Sequence, residues 1–169
     1  MKLKEVITEL DQIAPPPLAQ PWDNVGLIVG DVSQVVSSAM LTIDYSPTVA
    51  CEAAGAQCNL IIAYHPPIFQ ALKRVRAQGE SALIFDAIKR GVAIYSPHTA
   101  LDVAHGGTND VLADVLELRD RRPLKAAEQT PSHYKLVTFV PSGALDKVSA
   151  AIFAAGAGRI GNYSSCGFA

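Results

Sequence analysis

Three features of the 169-residue sequence predict an α/β fold, built on a mainly parallel or mixed sheet with flanking helices. Short unbroken apolar runs, Leu60-Ile61-Ile62-Ala63-Tyr64 and Val92-Ala93-Ile94-Tyr95, have the length and composition of strands buried on both faces. Stretches of helical periodicity separate such runs, and proline or glycine punctuates the junctions. This strand-helix-strand-helix alternation calls for right-handed crossovers between parallel neighbours.

Leu3, Val6, Ile7 and Leu10 recur at helical spacing, and that helix must finish before Pro15-Pro16-Pro17, which cannot continue one. A polar loop through Pro21, Trp22, Asp23 and Asn24 leads to two strands, over residues 25–30 and 39–43. Ser46-Pro47 is a helix-start signal: a hydroxyl to cap the first turn, then a ring whose missing N–H is not needed there. The helix is expected over residues 47–57 and the next strand over 60–65. Ser81 is placed to cap a helix carrying Leu83, Ile84, Phe85 and Ile88, with Gly91 as its terminator. A strand over 92–96 stops at Pro97-His98; after Gly106-Gly107, Asn109 or Asp110 is expected to cap a helix with Val111, Leu112, Val115 and Leu116.

Residues 119–132 are polar and include Pro123 and Pro131, a linker composition. Beyond them a strand over 134–140, a helix over 145–155, a glycine-rich turn and a strand over 160–166 spell β-α-β. Three elements alone leave a bare sheet edge, so a truncated second domain, or one completed by a partner, is expected. The sequence thus divides into a core at 1–118, a linker at 119–132 and a partial domain at 133–169.

With 14 basic and 16 acidic side chains the net charge is −2, so no broad positive field exists to hold nucleic acid or an anionic membrane. Charges interrupt every apolar stretch of the amino terminus, unlike a secretory signal, and no run approaches the roughly 18 apolar residues of a spanning helix. A cytoplasmic protein is expected. Cys51 and Cys58, two helical turns apart, are expected on one helix face as small buried thiols. Gly156-Ala157-Gly158-Arg159-Ile160-Gly161 has the letters of a dinucleotide fingerprint but the wrong order, since it follows a helix and opens a strand; no cofactor of that class is expected.

In open α/β sheets ligands gather at the carboxyl ends of strands, and two consecutive strand units here end in histidine, at His65 and His98. Asp102 follows His98 by four residues, so one short segment presents an imidazole and a carboxylate beside His65. That set suits zinc, iron or manganese with positions left for water. The bland alternative is that both histidines satisfy backbone groups at proline-marked turns. Lys73, Arg74 and Arg76 form the one local basic cluster: a solvated loop, or counter-charges for a phosphate near His65. His105 and His133 read as surface residues.

Four stretches in order, Trp22-Asp23-Asn24-Val25-Gly26-Leu27, Tyr64-His65-Pro66-Pro67-Ile68-Phe69, Tyr95-Ser96-Pro97-His98-Thr99-Ala100-Leu101-Asp102 and Gly106-Gly107-Thr108-Asn109-Asp110-Val111-Leu112-Ala113, resemble the "NIF three"-like dinuclear metal centre proteins, also known as homologues of a type-two GTP cyclohydrolase. The resemblance covers nearly the whole chain. It implies an α/β core holding one or two divalent metals, a ring-shaped hexamer and, in longer members, a ferredoxin-like insertion whose start matches residue 134 onward. It assigns His65 and Asp102 as ligands of one metal, His98 as a close neighbour, and Trp22, Asp23 and Asn24 to a loop near the site. Many members have a second histidine where this chain has Tyr64, which can ligate only as a phenolate. The family also draws a further His and a bridging Glu from a carboxyl-terminal segment that the 169 residues do not contain, which marks this chain as a truncated member with an incomplete site.

Two functions follow as expectations. One is a metal-dependent hydrolase of a phosphoester or nucleotide, with His98 shuttling the proton. The other is a metal-stabilised oligomeric adaptor for other proteins.

Overall fold

The computed structural model describes residues 1–124 and 134–168, which fall into two compact units, Met1–Arg121 and Arg122–Ala169. The first unit is built on a four-stranded sheet of β1 (Gly26–Val29), β2 (Ala39–Thr42), β3 (Leu60–Ala63) and β4 (Ala93–Ser96), in the order β1-β4-β3-β2. β2, β3 and β4 are parallel, whereas β1 runs antiparallel to β4 with Gly26 opposite Ser96. The sheet is therefore mixed, and its polarity sets up the site. The parallel strands finish at one end of the sheet, and β1 begins there.

Side-chain alternation divides the core between the two faces. Ile61, Ala63 and Ile94 point to the face covered by α2 (Pro47–Gly55) and α3 (Ala82–Arg90), packing with Ala53, Ile84 and Ala87. Leu60, Ala93 and Tyr95 point to the other, where α1 (Leu3–Ile13) lays down Leu3, Val6, Ile7 and Leu10. Tyr95 is buried yet polar at its tip, and its hydroxyl donates to Asp11 Oδ1 at 2.6 Å, tying α1 to the central strands.

The local signals act largely as read. Ser46 Oγ accepts from Val49 N–H at 3.3 Å, and Gly91 ends α3 in the left-handed conformation (φ 68°) that a Cβ would disfavour. Four expectations are corrected. α2 ends at Gly55, so Cys58 lies beyond it: Cys58 is buried against Ser38 while Cys51 is exposed on the helix. Ser81 stands at the start of α3 without capping it, because its hydroxyl is taken by the Arg76 backbone, accepting from N–H at 2.8 Å and donating to C=O at 3.3 Å. α5 (Thr108–Val115) begins two or three residues earlier than read, with Gly107 as its N-cap in place of Asn109 or Asp110, while Asp110 sits in its first turn and accepts from Gly106 N–H at 2.7 Å.

The fourth correction concerns the second unit, where α6 (Leu145–Ala154) forms as expected and the two strands do not. Residues 134–140 enter no ladder among the described residues, and the strand expected over 160–166 reduces to one bridge between Ile160 and Tyr163. β-branched and aromatic residues give a segment the capacity to pair, but a strand exists only where another chain segment supplies donors and acceptors. Part of the expected linker, together with His133, lies outside the described residues. Among the described residues no helix is long and apolar enough to cross a membrane.

Ile61 has no solvent exposure and sits at the middle of the helix-covered face, whereas Leu41 on the edge strand β2 is 77% exposed. Ile61→Ala is expected to destabilise the fold by about 2–5 kcal/mol in urea titrations, and Leu41→Ala by no more than about 0.5 kcal/mol.

Candidate functional site

The carboxyl ends of β2, β3 and β4 deliver Asp44, Tyr64-His65 and Pro97-His98 to one end of the sheet, and the loop entering β1 brings Trp22, Asp23 and Asn24 to the same place. β3 and β4 are locked in register at this end by Ser96 Oγ, which donates to the Tyr64 carbonyl at 2.8 Å. Tyr64 and His65 continue toward β2, donating their N–H groups to the carbonyls of Thr42 (2.9 Å) and Ile43 (3.0 Å). The rings of His65 and His98 then lie 5.4 Å apart, with Tyr64 5.0 Å from the first and 5.5 Å from the second.

Asp23 organises one side of the cluster. Its side chain has no solvent exposure and accepts four hydrogen bonds. Oδ1 takes His98 Nδ1 (2.8 Å) and the Asn24 N–H (2.8 Å); Oδ2 takes the Thr99 N–H (3.1 Å) and, in a short contact, the Thr99 hydroxyl. Burial opposes ionisation of this carboxyl, but the hydrogen bonds from Thr99, His98 and Asn24 together outweigh it and hold the group below the usual carboxylate range. His98, the first residue of α4 (His98–Val103), has φ +27°, a backbone state that costs a non-glycine residue roughly 1–3 kcal/mol. The Asp23 contacts to His98 and Thr99 hold it there.

On the other side His65 Nδ1 lies 2.8 Å from Asp44 Oδ1, in a pair largely open to solvent. Both imidazoles therefore engage a carboxylate through Nδ1, and no hydrogen bond among the described residues engages either Nε2. Asp102, one α4 turn beyond His98, accepts the Tyr64 hydroxyl at 2.6 Å, and its carbonyl takes Asn109 Nδ2 at 2.9 Å. Burial, then the hydrogen bond and charge of Asp102, push the Tyr64 phenol up to about 12, so at neutral pH it is a proton donor and not a phenolate. Gly107 lets α4 and α5 approach this closely, since a Cβ there would stand 1.9 Å from the Leu101 carbonyl oxygen.

Tyr64, His65, His98, Asp102, Trp22, Asp23 and Asn24, all singled out from the sequence, come together here. Lys73 does not join them: it is exposed and makes no hydrogen bond to the cluster. Asp44, Thr99 and Asn109 were missed. Asp44 follows β2 with no motif around it, and only the parallel pairing of β2 with β3 reveals it as the neighbour of His65.

As a metal site the cluster offers the right donor types in small number. The described residues contain no group of three or more His, Cys, Asp or Glu arranged to hold an ion. Asp23, Asp44 and Asp102, three carboxylates beside two imidazoles, favour a cation over an anion.

The family model for Duf34/NIF3 (NGG1p interacting factor 3) matches residues 1–166. A Bacillus subtilis protein named GTP cyclohydrolase 1 type 2 homolog is 40% identical over 166 residues, covering 98% of this chain and 44% of its own length. A Mycobacterium tuberculosis protein of the same name is 36% identical, with the same shares covered. Among solved structures, a Bacillus cereus protein related to NIF3 superposes with a TM-score of 0.70 at 33% identity, over 98% of this chain and 46% of that one. Reduced HcgD from Methanocaldococcus jannaschii gives 0.69 at 29% identity, over 74% and 50%. The chain thus spans less than half the length of the curated relatives it matches.

The sign of the Asp23 shift sets its pH dependence. A carboxyl held below its ordinary value adds stability that is fully present above about pH 4 and is lost as pH falls through the folded-state value. Asp23→Asn is expected to destabilise the fold at neutral pH by about 3 kcal/mol and to flatten the acid limb of stability below about pH 4, both read by urea titration at stepped pH.

Proposed function

Because the chain belongs to the Duf34/NIF3 family, we propose that its His65–His98 crevice serves a divalent-metal-dependent hydrolase acting on a phosphoester or nucleotide. The name shared by the curated relatives, GTP cyclohydrolase 1 type 2 homolog, supports the substrate class. The observation that carries the reading is the paired orientation of the two imidazoles, each held through Nδ1 by a carboxylate with Nε2 left free. Carboxylate–histidine pairs of this kind are how proteins fix the tautomer and direction of a ligating or proton-transferring imidazole.

His65 Nε2 and Asp102 are the residues that would hold the ion, zinc, iron or manganese by donor type. A bound ion of that class supplies Lewis acidity and an activated water. The rest belongs to the chain's own groups. Asp44 keeps the His65 proton on Nδ1. Tyr64, protonated across the neutral range, orients Asp102 by donating to Oδ1 and leaves the second carboxylate oxygen available. His98 offers Nε2 as the site where a proton is taken up or released, with Asp23 fixing its tautomer.

Release of phosphate from phosphoesters, or of formate from GTP, is expected only with added divalent metal. It should fall at least about 100-fold in His65→Ala and in His98→Ala, with metal binding lost only in the first. Turnover unchanged by His65→Ala would refute the reading. The small donor set favours a second one, the metal-stabilised adaptor, and stoichiometric metal without turnover on any phosphoester or nucleotide would select it.

Replacing the neutral phenol by an imidazole adds a donor beside His65. Tyr64→His is expected to tighten zinc or manganese binding by about tenfold or more in calorimetric titration.

A further inference from the structure

Two large aromatic side chains stand exposed at the rim of the crevice, and the mechanism above does not use them. Trp22 is 60% and Phe69 53% exposed, with ring centroids 6.0 Å apart and planes inclined at 64°. Meeting edge to face, the two rings leave aromatic surface bare to water, which costs burial free energy unless something covers it. Trp22 also meets His98 edge-on at 6.4 Å and 74°, so the corner runs directly into the imidazole rim.

The corner is held from both sides. Asp23, next to Trp22, is the buried carboxylate with four hydrogen bonds, and Asn24 Nδ2 donates to the Ile68 carbonyl at 2.5 Å, one residue before Phe69. The loops that carry the two rings are thus tied to each other and to α4 before any ligand arrives, a preorganisation that raises affinity.

We infer that Trp22 and Phe69 form a stacking corner for the flat heterocyclic base of the substrate, so that the site takes nucleosides and nucleotides in preference to aliphatic phosphoesters. This rests on the hydrolase reading for the chemistry done beside the ring. Size and charge select the occupant. Two side chains expose a few hundred Å2 at most, well short of the roughly 800 Å2 per partner of a stable protein interface, but enough for one purine. No lysine or arginine takes part in the hydrogen bonds of the cluster, while the carboxylates of Asp44 and Asp102 do, so the cluster's own charge favours an uncharged ring over a bare anion. Recognition falls to the uncharged ring, which stacks on aromatic faces whatever its exact base identity.

Trp22 is the single tryptophan of the chain, so its emission reports this position alone. The 169-residue protein, without metal, is titrated with guanosine, adenosine, ribose 5-phosphate and choline. Saturable quenching by the nucleosides is expected, with none by ribose 5-phosphate and binding about tenfold weaker in Phe69→Ala. Phe69→Leu, which keeps bulk and loses the π face, should weaken binding similarly and guards against misfolding of the alanine variant. Absence of saturable nucleoside quenching, nucleoside affinity in both Phe69 variants equal to that of the unsubstituted protein, or quenching by choline alone overturns the inference. Nucleoside binding in a protein that turns over nothing with any metal upholds the corner and sinks the hydrolase; metal-dependent phosphoester turnover without nucleoside quenching does the reverse.

Discussion

A carboxylate removed from water must be matched by donors, and at Asp23 that requirement fixes much of the crevice. Its four hydrogen bonds come from the loop entering β1 and from the start of α4, segments more than 70 residues apart in sequence. Thr99 extends the tie, since its hydroxyl donates to Asp23 and accepts the Gln20 N–H at 3.0 Å. The loop carrying Trp22, the strained backbone of His98 and the first turn of α4 are consequences of one buried charge. Loosening it would leave a desolvated carboxylate without partners, which is why the arrangement has few alternatives.

The two carboxylate–imidazole pairs are alike in connectivity and unlike in surroundings. Asp23–His98 is almost dry, whereas Asp44–His65 is open to water, with about half of the His65 side chain exposed. An exposed pair contributes little to stability and gives up its geometry easily, while a buried one is rigid. On the proposed reading this divides the labour. His65, held by Asp44, keeps its Nε2 edge accessible from water, and His98 stays where the reacting group is brought to it.

Much of this was legible in the sequence because the deciding signals were local. Apolar runs closed by proline marked β3 and β4 and placed His65 and His98 at their ends; Ser46-Pro47 and Gly91 bounded helices through backbone chemistry that needs no tertiary context. What stayed hidden depended on contacts between distant segments. Asp44 gains its meaning from the register of β2 on β3, and Thr99 from the return of the Asp23 loop. Ser81 has the letter of a cap but spends its hydroxyl on Arg76, a competition that no helix propensity records. Residues 134–140 have the composition of a strand and find no ladder among the described residues, because composition does not specify a partner.

Tyr64 shows how one position can change the character of such a site without changing its fold. An imidazole there would offer the crevice a lone pair; the phenol, held protonated by burial and by Asp102, offers a hydrogen. It therefore takes one acceptor site on Oδ1 of the carboxylate that the proposal makes a ligand, and adds no lone pair of its own. On the proposed reading the residues of this unit then favour one ion over two. The sheet that assembles the crevice is indifferent to the exchange, since both side chains would leave β3 at the same end with the same backbone hydrogen bond to Thr42. On the proposed reading the protonation chemistry of one side chain thus bears on how many ions the crevice holds, while the polarity of the strands sets its shape.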